Sequence, residues 1–89
     1  MFSAEIAILN KEGFHARPAQ LFVEKSNKFQ SQIKVRKEDG READGKSILG
    51  LMTLELTRGK NITIEADGPD EKEAVQVLSQ LIESKFGEE

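Results

Sequence analysis

The 89-residue sequence predicts an α+β fold, an open-faced β-sandwich in which helices cover one face of a sheet and water covers the other. Three observations predict it. Three segments alternate apolar and polar residues with the two-residue period of strands, and a tight turn after one of them leads into a fourth strand; two other segments carry apolar stripes at helical spacing, with a short apolar stretch between them. Every strand segment is half polar, which suits a sheet packed on one side only.

In the first strand, Phe2, Ala4, Ile6 and Ile8 alternate with Ser3, Glu5 and Ala7. After Gly13, the positions Ala19, Phe22, Val23, Ser26 and Phe29 recur at helical spacing, predicting a helix from Ala16 to about Lys28. Pro18 falls in its first turn, where a missing amide costs no intrahelical bond. Ile33 and Val35 alternate with Lys34 and Arg36 in a second strand, and Glu38-Asp39-Gly40 supplies a tight turn into a third, ending near Asp44. Gly45-Lys46-Ser47 then precedes Ile48-Leu49-Gly50-Leu51-Met52, a brief helix that Ser47 can cap.

Gly59 marks a turn, and Ile62, Ile64 and Ala66 alternate with Thr63 and Glu65 in a fourth strand. Asp67-Gly68-Pro69-Asp70 breaks the chain before a final helix that is expected to run to about Phe86, with Ala74, Leu78, Leu81 and Ile82 as its buried stripe. Asp70 and Glu73 have the spacing of a capping box, and Asp70, Glu71 and Glu73 suit the positive end of the helix dipole. The tail Gly87-Glu88-Glu89 reads as solvated. The element order is therefore β-α-β-β-α-β-α. Without repeats, low-complexity tracts or long linkers, residues 1–89 read as one domain.

Composition narrows the chemistry. A net charge of −3 argues against nucleic acid as a direct ligand, because such binding relies on clustered Lys and Arg. The start, Met1-Phe2-Ser3-Ala4-Glu5, has no basic signal-peptide region, and no apolar run approaches the ~20 residues of a bilayer-spanning helix. A cytoplasmic location without membrane insertion is expected. One histidine and no cysteine cannot close a zinc shell, so no metal is expected, and nothing in the chain calls for a cofactor. No nucleophile motif surrounds Ser26, Ser31 or Ser47, which argues against a hydrolase.

That histidine lies in Gly13-Phe14-His15-Ala16-Arg17-Pro18-Ala19, where the loop after the first strand becomes a helix. The amides of Ala16 and Arg17 in the opening turn offer donors and a favourable dipole to an anion. Arg17, two residues from His15, can grip phosphate oxygens through paired hydrogen bonds. A neutral imidazole keeps a lone pair for attack on phosphorus. Once the ring carries a phosphoryl group, the same donors stabilise it. The plain alternative is an ordinary solvated histidine and arginine around a helix cap.

The segments Gly13-Phe14-His15-Ala16-Arg17-Pro18-Ala19 and Gly45-Lys46-Ser47-Ile48-Leu49-Gly50-Leu51-Met52 resemble the two signatures of the HPr family, the histidine-containing phosphocarriers. The resemblance spans almost the whole chain, including the element order and the Asp67-Gly68 turn. It implies a four-stranded antiparallel sheet in the order 1-4-2-3 under three helices. It also implies a relay within the phosphoenolpyruvate-dependent phosphotransferase system: Enzyme I phosphorylates His15 at Nδ1, Arg17 assists, and His15 passes the group to a IIA component of a sugar permease. Such a protein is a stoichiometric monomeric carrier, not an enzyme.

Ser47 has two readings, a plain N-cap and a regulatory phosphorylation site. The resemblance implies the second, with an HPr kinase/phosphorylase as modifier and a catabolite-control repressor as partner. Ile48, Leu49 and Met52 lie on a helix too short to bury all its faces, so they read as docking residues, with core packing as the competing explanation. Gln20 stands where a smaller residue is common in the family, and Glu55 and Thr57 occupy a stretch that is often glycine-rich there. These departures bear on partner choice. Asp44-Gly45-Lys46-Ser47 followed by Leu51-Met52-Thr53-Leu54 also resembles the nitrogen-related branch of such carriers, leaving as the alternative to sugar uptake a regulatory paralogue, either of that branch or an adaptor whose useful state is Ser47 phosphate and whose His15 is idle.

Overall fold

Alternation decides which face of the sheet is dry. In the computed structural model, which describes residues 1–87, β1 (Phe2–Ala7) pairs antiparallel with β4 (Asn61–Asp67), β4 with β2 (Gln32–Lys37), and β2 with β3 (Glu42–Asp44). The strand order is β1-β4-β2-β3, as the resemblance implied. The register sets Ala4 opposite Ile64, Ile6 opposite Ile62, Val35 opposite Ile64 and Ile33 opposite Ala66. Those side chains share one face. On the other, Lys34 pairs with Glu42 at 3.4 Å and Arg36 with both Glu42 and Glu65, a solvated ladder in which each pair contributes about 1 kcal/mol or less.

Helices α1 (Ala16–Ser26), α2 (Ile48–Thr53) and α3 (Glu71–Glu83) supply the rest of the core. Phe22, Leu51, Leu78 and Ile82 are fully buried with Ile8, Val35, Ile62 and Ile64. Each such side chain contributes roughly 1.5–3 kcal/mol by leaving water.

Two helix boundaries differ from the sequence reading. The first helix stops at Ser26 because the chain tightens there: the amides of Lys28 and Phe29 reach back three residues, to Lys25 and Ser26, at 3.1 Å. The last helix stops at Glu83 and is followed by a short 3-10 turn, Lys85–Gly87, in which Lys85 and Phe86 have φ of 57° and 55°. That reversal turns Phe86 inward, where it is 5% exposed. Of the expected α3 stripe, Leu81 is only half-buried, and Val75 takes a buried place. Glu88 and Glu89, expected to be solvated, lie outside the described residues.

The capping box is also replaced. Asp70 occupies the N-cap position of α3 but makes no capping bond with its side chain. Its carboxylate instead accepts from the Gln30 amide (2.9 Å), the Ser31 amide (3.0 Å) and the Ser31 hydroxyl (2.5 Å), which ties α3 to the segment before β2. Glu71, not Glu73, reaches back, accepting from the Gly68 amide at 3.2 Å. Three donors outcompete one, because each bond to the charged form adds stabilisation.

Candidate functional site

His15 is the N-cap of α1, with extended backbone angles of −66° and −178°, and the chain enters the helix at Ala16. An N-cap side chain ordinarily accepts from a first-turn amide. The imidazole does not, and it stands exposed together with Ala16 and Arg17. Its carbonyl takes the first helical bond, from the Ala19 amide at 2.9 Å. The amides of Ala16 and Arg17 have no acceptor among the described residues, and Pro18 has no amide to offer. Arg17 forms no ion pair among the described residues. An exposed ring, two free donors and an uncommitted guanidinium thus occupy one turn.

The surrounding loop holds this turn in place. Asn10 is fully buried and donates from Nδ2 to the Gly13 carbonyl at 2.7 Å, while the Gly13 amide returns to the Asn10 carbonyl at 3.2 Å. Gly13 has φ of +63°, and a Cβ there would lie 2.3 Å from the Leu56 carbonyl oxygen, so only glycine fits. The next amide, of Phe14, donates to that same oxygen at 2.8 Å. The Phe14 ring is buried against Phe22, with centroids 5.3 Å apart, and against Phe86 at 5.2 Å. Buried Pro18 and Ala19 pin the far side. His15 is therefore a surface residue between two anchored neighbours.

Asn10, Phe14, Leu56 and Phe86 were not singled out from sequence as supports. The Asn10-x-x-Gly13 spacing was the available signal, since Asn and Gly close such turns.

Ser47 caps α2: its Oγ accepts from the Gly50 amide at 3.0 Å, and its carbonyl accepts from Leu51 at 3.0 Å. The hydroxyl is half-buried. Leu51 takes the core position of α2, whereas Ile48, Leu49 and Met52 are 39%, 78% and 41% exposed. Core packing thus claims only Leu51. Gln20 is exposed on α1, within 3.5 Å of Glu24. Helices α1 and α2 pack against each other, so Gln20 and the α2 residues lie on adjoining elements. No helix among the described residues is long and apolar enough to cross a membrane, and among them no group of acidic, His or Cys side chains is placed to hold a metal.

Fold and site together define a small open-faced sandwich that presents one exposed histidine at a helix start. The family model described as the PTS HPr component phosphorylation site matches residues 2–84, and the chain belongs to that family, the HPr phosphocarriers of the phosphotransferase system. It is 44% identical to the phosphocarrier protein HPr of Neisseria meningitidis over 88 residues, covering 99% of this chain and 98% of that one. It is 42% identical to the phosphocarrier protein NPr of Proteus mirabilis over 84 residues (94% and 93%), and 41% identical to the HPr-like protein Crh of Halalkalibacterium halodurans over 85 residues (96% and 100%). Among solved structures, HPr of Thermoanaerobacter tengcongensis superposes with a TM-score of 0.95 at 49% identity, covering 100% of this chain and 99% of that one. Crh of Bacillus subtilis, described as a dimer with a swapping domain, gives 0.76 at 36% identity, with 96% and 97% covered.

Proposed function

We propose that His15 is the phosphoryl acceptor of this phosphocarrier, loaded by phospho-Enzyme I and discharged to IIA components of sugar transport. One observation supports this most: the His15 ring stands at the start of α1, exposed and making no capping bond, beside the unclaimed amides of Ala16 and Arg17. A ring nitrogen attacks phosphorus as the donor's bond to phosphorus breaks and the donor keeps that electron pair. The two amides and the Arg17 guanidinium meet the phosphoryl oxygens. The chain offers no base and no nucleotide-binding loop, so Enzyme I supplies the in-line geometry, and the protein acts as a stoichiometric carrier rather than an enzyme.

On this reading the chain works in the cytoplasm as a single-domain monomer, and Ile48, Leu49, Met52 and Gln20 dock partners around His15. Phosphorylation of Ser47 by an HPr kinase/phosphorylase would put negative charge at the start of α2, beside that docking patch, repelling acidic groups of Enzyme I and favouring a catabolite-control repressor. NPr and Crh relatives of similar identity support the alternative of a regulatory paralogue that does not drive sugar uptake.

Phosphoenolpyruvate and Enzyme I should label the protein with an acid-labile, alkali-stable phosphate that is absent from His15→Ala. Persistence of that label in His15→Ala would remove His15 from the relay. ATP and an HPr kinase should add an acid-stable phosphate that Ser47→Ala lacks; without such a product, Ser47 is a cap only.

A further inference from the structure

Glu55 sits in a conformation that its own backbone disfavours. It follows Leu54, the C-cap of α2, and has φ of 54°, with its amide on the Met52 carbonyl at 3.2 Å. Glycine is the usual residue at this left-handed position, because any other side chain there strains the backbone. Packing does not call for glutamate either, because Leu54 and Leu56 take the buried places on both sides and leave Glu55 exposed. Nor does it form an ion pair among the described residues.

What the position does provide is proximity to His15. The Leu56 carbonyl accepts from the Phe14 amide at 2.8 Å, so Glu55 and His15 each lie one residue from the same hydrogen bond, and both are exposed. That connectivity keeps their Cα atoms within roughly 14 Å, and charges at such a separation still interact at low salt, where the Debye length is about 30 Å at 0.01 M.

We infer that Glu55 raises the free energy of the phosphorylated His15 and so makes the protein a stronger phosphoryl donor. The inference rests on the His15 reading above. A phosphoryl group on the ring brings up to two negative charges, which the Glu55 carboxylate opposes. The unphosphorylated ring meets no such opposition, so the effect falls on the loaded state alone. In discharge, the His15 nitrogen–phosphorus bond breaks, the acceptor's bond to phosphorus forms, and the ring nitrogen keeps the electron pair; nothing is oxidised or reduced. Repulsion across roughly 10–14 Å of largely aqueous surroundings shifts the phosphoryl equilibrium about two- to fivefold at low salt.

The test is a competition at equilibrium. Equal amounts of the protein and its Glu55→Gln variant share a limiting supply of phosphoryl groups through a trace of Enzyme I, and the charge forms are resolved on a native gel. The phosphoryl group should collect on the Glu55→Gln protein about two- to fivefold, more strongly on Glu55→Lys, and evenly once about 1 M salt shortens the Debye length to ~3 Å. Glu55→Gly relieves the backbone and should partition as Glu55→Gln does. Enzyme I affinity changes rates but not this ratio. Equal sharing at low salt, with or without altered transfer rates, would overturn the inference while leaving His15 as acceptor. Absence of phosphohistidine from both proteins would overturn the His15 assignment and this inference with it.

Discussion

The Phe86 ring meets the Phe14 ring edge-on, with planes at 90° and centroids 5.2 Å apart, so the turn after α3 props the residue that precedes His15. Phe86 also holds a left-handed backbone, a conformation that persists only when packing enforces it. Phe86→Ala should therefore destabilise the fold by about 3 kcal/mol, read as a lower urea midpoint, with Phe86→Leu losing less. Equal midpoints would mean that the ring contributes little.

Gly13→Ala should be worse than its single methyl suggests. The added Cβ would meet the Leu56 carbonyl oxygen at 2.3 Å and require φ of +63° from alanine. A loss of at least ~1 kcal/mol in thermal unfolding follows, together with slower phosphoryl labelling, since the displaced strut carries the Phe14 amide bond. An alanine variant that labels at the normal rate would show that His15 does not depend on this strut.

Asp70 makes stability depend on pH in the acid range. The Ser31 hydroxyl first, and then the Gln30 and Ser31 amides, hold its carboxyl below the ordinary value of 3.8. A lowered carboxyl stabilises the fold fully above that unfolded value, and the contribution fades as pH falls through the native one. Urea titrations between about pH 2 and pH 5 should thus show a steeper acid loss in the natural protein than in Asp70→Asn, whose stability is lower at neutral pH. Parallel curves would exclude Asp70 as the source.

Much of this architecture was legible because a half-buried sheet writes its register into alternation: Ile62, Ile64 and Ala66 all face the core from one strand. The short helix was equally readable, since Ser47 is a strong capping residue and does cap Gly50. Where the reading missed, a tertiary contact outweighed a local preference. Asp70 has the local spacing to cap its own helix, but Ser31, distant in sequence, offers it better donors. Phe86 continues a helical stripe by spacing, yet the Phe14 ring takes it after the helix has ended. At the site, His15, Ala16 and Arg17 stand out because they are contiguous. Leu56, some forty positions away, carried no local signal at all.

Ser47→Ala should remove the Gly50 capping bond and cost about 1 kcal/mol, with Ser47→Gly losing only a few tenths. Chemical denaturation of the three proteins measures both. If the alanine form matches the natural one, α2 is held by Leu51 packing alone.

Pro18 gives the opening turn of α1 a shortage with a use. A helix start normally turns several N–H groups outward, but the proline ring removes one, leaving the Ala16 and Arg17 amides to receive any anion there. On the proposed reading, a phosphoryl group on His15 would bring three terminal oxygens, more than these two backbone donors can satisfy. The remaining contacts would fall to the exposed Arg17 side chain and to water, both of which an incoming partner could replace. In the proposed relay, such a hold would loosen when the next protein arrives, and the third residue of this helix would build that looseness in.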